Sequence, residues 1–147
     1  MLGDWYANLF YSRPQQLVLC MNERSLLVVI VPARDSNSLA PRFRDAAIAH
    51  LRRIGVPDAA VEAEARAMSE LAFGPTASRR LLGCLNEAAF ALSCEWERPR
   101  FSSLADLQMY FAEYIYSTTG YRRPGELALE LFRAAGAAAN AAQSRIH

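Results

Sequence analysis

Leu26-Leu27-Val28-Val29-Ile30-Val31-Pro32-Ala33-Arg34-Asp35-Ser36-Asn37-Ser38-Leu39-Ala40-Pro41-Arg42-Phe43 is where the hydrophobic period of the chain changes. Leu26 to Val31 is an unbroken aliphatic and β-branched run ended by Pro32, the signature of a strand covered on both faces. From Ser38 the apolar residues Leu39, Phe43, Ala47, His50, Leu51 and Ile54 fall on one helical stripe, with Ser38 placed to cap the start and Gly55 to stop the end. Upstream, Trp5, Ala7, Leu9 and Tyr11 alternate with Tyr6, Asn8 and Phe10, and Leu17 to Asn22 follows the turn at Arg13-Pro14-Gln15. Connections this short join antiparallel strands, so the N-terminal third predicts a meander.

Downstream the helical period persists. Pro57-Asp58 opens a second helix with Val61, Ala65, Met68 and Ala72 inward, Glu62 and Arg66 as an i,i+4 pair, and Glu62, Glu64 and Glu70 on a solvated face. Leu71 to Phe73 is a short candidate fourth strand before Gly74-Pro75. A third helix from about Ala77 to Trp96 buries Leu81, Leu85, Ala89, Leu92 and Trp96. Ser103 and Asp106 resemble a capping box for a fourth helix, which buries Leu104, Leu107, Phe111, Tyr114 and Ile115 and shows Met109, Tyr110 and Tyr116 on other faces. A fifth starts near Pro124 with Leu127, Leu131 and Ala135 on one face. The expectation is an α+β fold: an N-terminal antiparallel sheet of three or four strands packed against four or five helices. Residues 1–136 form one domain, and the alanine-rich tail 137–147 frays.

Composition removes several function classes. The 147 residues are 52% hydrophobic, enough for one buried core. All sixteen basic residues are arginine, set against fifteen acids for a net charge of +1, so no general affinity for nucleic acid or anionic membrane is expected. Absence of lysine and abundance of alanine fit the codon bias of a GC-rich bacterial genome. Cys20, Cys84 and Cys94 form no C-x-x-C pair, and an odd number closes no disulfide framework, which points to a reducing cytoplasm. With only His50 and His147, neither a zinc site nor a Ser-His-Asp triad has enough members, and no metal or cofactor is expected. His50 reads as a hydrogen-bonded core residue. Leu26 to Val31 is too short to span a bilayer and Met1 to Asp4 carry no signal-peptide pattern, so the chain is expected in the cytoplasm.

One segment carries a candidate site. Thr76, Arg79, Gly83, Asn86 and Glu87 lie opposite the Leu81–Leu85 face of the third helix, with Arg80 beside them. A mid-helix glycine costs about 1 kcal/mol relative to alanine, so Gly83 implies close approach of something to the backbone. Arg79, Asn86 and Glu87 either satisfy one another beneath a crossing loop, or form an anion site with the Thr76 hydroxyl and the first-turn amides. No glycine-rich phosphate loop precedes the helix, and no histidine is near enough in sequence to activate Cys84 or Cys94. Asn8 and Asn22 suit turn or strand-edge hydrogen bonding.

Three motifs, Gly3-Asp4-Trp5-Tyr6-Ala7-Asn8-Leu9, Met21-Asn22-Glu23-Arg24-Ser25-Leu26 and Thr76-x-x-Arg79-x-x-x-Gly83-x-x-Asn86-Glu87, resemble those of a bacterial family known only as domain of unknown function 6933. The resemblance runs through nearly the whole chain, departs at Met21 and Cys84, and leaves the last ten or so positions as an extension. It implies a common fold and no particular activity. Two functions follow as expectations. One is a non-catalytic interaction module, such as a partner in a toxin–antitoxin or mobile-element system, that binds protein or itself through its aromatic fourth helix. The other is a protein or enzyme that binds a phosphoester, nucleotide or RNA around Arg79.

Overall fold

The computed structural model describes residues 2–11, 16–34, 36–69, 79–97, 103–114 and 122–144. Strands β1 (Trp5–Tyr11), β2 (Gln16–Asn22) and β3 (Val28–Pro32) form an antiparallel sheet in that order, as the N-terminal alternation predicts. Tyr6 pairs with Met21, Leu19 with Ile30, and Met21 with Val28. Every residue from Leu17 to Met21 and from Val28 to Val31 is buried. Strands apolar on both faces need cover on both.

Five helices supply it: α1 (Leu39–Arg53), α2 (Asp58–Ala67), α3 (Arg79–Glu97), α4 (Leu104–Ala112) and α5 (Pro124–Ser144). On one face Leu17, Leu19, Met21, Val28 and Ile30 pack against Leu81, Leu85 and Leu92 of α3 and Leu107 and Phe111 of α4. On the other, Val18, Cys20, Val29 and Val31 meet Phe43 and Ala47 of α1, with Met68 just past α2. A third cluster joins Leu2 and Leu27 to Leu51, Val61, Ala112, Ala128 and Phe132, tying α2 and α5 to the N-terminal segment. Burying side chains of this size contributes about 1.5–3 kcal/mol each, which the ordering entropy of the chain largely offsets.

Side chains take up two backbone groups on the free edge of β3. Asn22 N–H donates to the Leu27 carbonyl and Ala33 N–H to that of Gln16, which fixes the phase of the ladder and turns the backbone groups of Ile30 and Pro32 outward. Ile30 N–H donates to Oε1 of Gln108 at 2.7 Å, and Gln108 is itself buried on α4. Pro32 has no N–H to satisfy, and its carbonyl accepts from the Arg42 guanidinium. An open strand edge is a template for unwanted pairing, and these two outward groups are taken up within the fold.

Several local expectations change. β3 begins two residues after Leu26, because Leu26 and Leu27 belong to the turn. Ser38 occupies the N-cap of α1 without capping it through its side chain, and its hydroxyl accepts from Arg42 Nε instead. Gly55 stops α1 at φ +100°, where a side chain would be strained. Glu64 is not on a solvated face: three residues after Val61 it turns inward, is 2% exposed, and accepts the Leu2 N–H. The capping box holds, with Asp106 N–H donating to Ser103 Oγ at 3.1 Å, but α4 stops at Ala112, so Tyr114 lies beyond the helix. α5 turns Ala128 and Phe132 inward, one position on from Leu127 and Leu131, and runs past Gly136 to Ser144. The candidate strand Leu71–Phe73 lies outside the described residues.

His50 is buried as expected, yet neither ring nitrogen has a hydrogen-bond partner. Burial first, and the Arg53 charge second, push its pKa from 6.5 down to about 4. The unfolded chain therefore takes up this proton before the folded one as the pH falls. Stability declines between about 6.5 and 4, by about 3 kcal/mol in all. Urea midpoints measured at neutral pH and near pH 4 should show that loss in the wild type and a much smaller one in His50→Leu.

Candidate functional site

The first two sequence motifs meet at one corner of the sheet, and Asn22 joins them. Its Nδ2 donates to the carbonyls of Leu2 at 2.9 Å and Asp4 at 3.2 Å. Its Oδ1 accepts from the N–H groups of Arg24 and Ser25 and from Ser25 Oγ at 2.9 Å. Ser25 Oγ in turn accepts the Leu27 N–H, and Glu23 N–H donates to the Asp4 carbonyl. Asn22 and Ser25 have no exposed surface, so a short polar side chain that reaches two backbone segments replaces water there. Gly3 has φ +73°, and the aliphatic stem of Arg24 lies 3.5 Å from where its Cβ would be. Leu26 closes the turn at φ +61° with its side chain in the core, a left-handed conformation that costs a leucine about 1–2 kcal/mol. The whole corner is committed to structure. Asn22 therefore does what the sequence pattern suits it for, and it presents nothing to a ligand.

The third motif behaves in the opposite way. Arg79, Arg80, Gly83, Asn86 and Glu87 all lie on the outward face of α3, while Leu81, Cys84, Leu85, Ala88 and Leu92 are buried beneath it. Thr76 falls outside the described residues. The structure thus brings five of the six candidates onto one surface. Among the described residues a Cβ on Gly83 would meet nothing within 4 Å, so none of them crosses over it. Arg79 and Arg80 stand in a first turn that contains no acidic residue. Glu87 accepts a long hydrogen bond of 3.4 Å from the Tyr114 hydroxyl. Burial above all, with the Glu87 charge next, raises the Tyr114 pKa above its ordinary value and keeps the phenol a donor.

That contact joins α3 to the aromatic end of α4. Phe111 is fully buried, whereas Tyr110 and Tyr114 are half-buried with ring centroids 6.0 Å apart. Most of the aromatic surface of α4 is therefore spent on the core. Sequence reasoning missed the more exposed apolar group. Phe90 is 72% exposed in the middle of the outward face of α3, and Leu82 stands two turns before it at 38%. The signal was present, because Phe90 falls on the Arg79–Gly83–Asn86 side of the helical wheel.

Cys84 is buried, Cys94 is exposed, and Cys20 is pushed by burial up to about 12. Among the described residues no group of three or more His, Cys, Asp or Glu could hold a metal ion, and no helix is long and apolar enough to cross a membrane.

The model of the family described as Domain of unknown function (DUF6933) matches residues 1–127, and the chain belongs to that family. The match stops just inside α5, so most of that helix lies beyond it. No curated protein and no solved structure matches the chain.

Two substitution tests separate the corner from the exposed face. Asn22→Ala leaves several buried backbone groups unsatisfied and should cost at least ~3 kcal/mol, a drop in melting temperature of roughly 6–12 °C, whereas Arg79→Ala should stay within about 0.5 kcal/mol of wild type. At position 26 the usual order of small residues should reverse. Leu26→Ala and Leu26→Gly lose the same packing, but glycine also relieves the positive φ, so Leu26→Gly should be at least as stable as Leu26→Ala in urea.

Proposed function

We propose that this family member is a non-catalytic protein-interaction module of the bacterial cytoplasm, which binds through the outward face of α3 and the adjoining Tyr110 and Tyr114. The observation that carries this is Phe90, a large apolar side chain 72% exposed on a helix whose other face is fully packed. Covering it would contribute about 2 kcal/mol, and aromatic anchors ringed by polar groups are typical of interface hot spots. Asn86, Glu87, Tyr110 and Tyr114 supply such a ring. The cytoplasmic assignment is supported by three cysteines with no disulfide framework, and the bacterial one by the all-arginine, alanine-rich composition.

A second reading, phosphoester or nucleotide binding at the start of α3, has one feature in its favour: Arg79 and Arg80 are exposed in a first turn without an acid. The test sets the two against each other. Wild-type protein and Phe90→Glu are immobilised and exposed to lysate of the encoding organism, and parallel samples are melted with a nucleotide and phosphate panel. A partner retained by wild type and by the α1 control Arg52→Ala, but lost with Phe90→Glu, is the expected result. A wild-type chain that binds no protein, itself included, while nucleotides raise its melting temperature in an Arg79-dependent way, would replace this function with the second.

A further inference from the structure

The two faces of the sheet are covered unequally. Under α3 and α4, Leu17, Leu19 and Met21 meet Leu85, Leu92 and Phe111, each of them fully buried. Under α1 the filling is Val18, Cys20, Val29 and Val31 against Phe43 and Ala47. Apart from the phenylalanine these are smaller side chains, so less apolar surface leaves water on that side.

The α1 side also holds polar atoms that the fold does not satisfy. His50, 1% exposed on α1, has no hydrogen-bond partner at either ring nitrogen. Neither has the buried Nε1 of Trp5, whose ring stands edge-on to Phe43 of α1 at 5.2 Å. Among the described residues the side under α3 and α4 has no such atom, and its Gln108 oxygen accepts the Ile30 N–H. A buried polar group without a partner gains by reaching water, so separation of α1 from the sheet relieves both residues at once. Against it stand the Arg53–Asp106 ion pair, exposed and therefore weak, and the Arg42 contact with the Pro32 carbonyl.

The elements packed on α1 offer a charged His50 no free counter-charge. β3 and the turn Ser36–Ser38 carry no titratable side chain, and Asp106 of α4 is engaged by Arg53. On α2, Asp58 lies 4.0 Å from Arg52, Glu62 and Arg66 are exposed, and Glu64 accepts the Leu2 N–H. On β2, burial keeps the Cys20 thiol neutral. Burial and the Arg53 charge therefore govern how His50 meets a proton.

We propose that α1 is a cover that leaves the sheet ahead of the rest of the fold, and that a proton on His50 drives it open while α3 and α4 stay closed. The device is separate from the α3 surface and would stand if that surface bound nothing.

The cysteines report it. Cys20 lies under α1, Cys84 lies under α3, and Cys94 is exposed. The full chain is treated near pH 7 and near pH 5 with dithiodipyridine, a disulfide that thiols attack even in mild acid, and each site is followed by mass spectrometry with Cys94 as the unprotected reference. An opening that returns His50 from about 4 to its ordinary 6.5 multiplies the open population by about 20 between those conditions. Cys20 should therefore gain about 20-fold in labelling relative to Cys94, and at both pH values it should label at least ~3-fold ahead of Cys84. His50→Leu and His50→Gln should each abolish the gain, and His50→Gln, which keeps a polar group under the cover, should leave Cys20 ahead of Cys84. Cys20 and Cys84 labelled together would mean that only global unfolding bares the sheet. A Cys20 that gains nothing in the wild type, or a gain that survives both substitutions, would remove the proton from His50. Any of these results overturns the proposal.

Discussion

A three-stranded sheet that is apolar on both faces and open along its edge cannot stand without cover, and the placement of α1, α3 and α4 follows from that constraint. β2 and β3 bury all their central side chains, so α1 must lie on one face and α3 with α4 on the other. Gln108 carries the constraint into the backbone. By accepting the Ile30 N–H it satisfies an edge donor that no fourth strand reaches among the described residues, and it fixes α4 beside β3. The Arg53–Asp106 ion pair at 3.2 Å joins α1 to α4 across the same edge, but both partners are about two-fifths exposed, so it adds little to the energy.

The three motifs then divide by burial. Gly3, Asn22, Ser25 and Leu26 are bound into a corner whose polar atoms are directed at backbone. The Arg79–Glu87 set sits on a surface, where the Glu87 carboxylate accepts a long hydrogen bond from Tyr114. A residue in the corner is held by what the fold requires of it. On the α3 face no described residue comes within 4 Å of where a Gly83 Cβ would be and Phe90 is 72% exposed, and the proposed function rests on that difference from the corner.

How much of this was legible in the sequence depended on whether the signal was periodic. The strand order, the covered third strand, the Gly55 stop and the Ser103–Asp106 cap follow from period and cap chemistry, which are local. What escaped was decided by distant partners. Glu64 reads as a solvated acid until Leu2 is brought against it, Gln108 as an ordinary surface amide until β3 lies alongside, and His50 as hydrogen-bonded although the core offers it no acceptor. The α3 surface was half legible. Its polar members stood out by residue type, while Phe90 was masked because an aromatic residue in an amphipathic helix is ordinarily taken for core.

Gly83 weakens its helix by about 1 kcal/mol of propensity, and Phe90, 72% exposed, gains little from folding because its ring stays in water as in the unfolded chain. A surface evolving only for solubility has no use for either. The two lie on one line of one helix, seven residues apart, with the exposed Asn86 between them. In the function proposed above, a protein surface laid across that line covers the ring. A small anion at Arg79 would leave Phe90 in water, and for that reason the function proposed above puts a protein on this face before a phosphate.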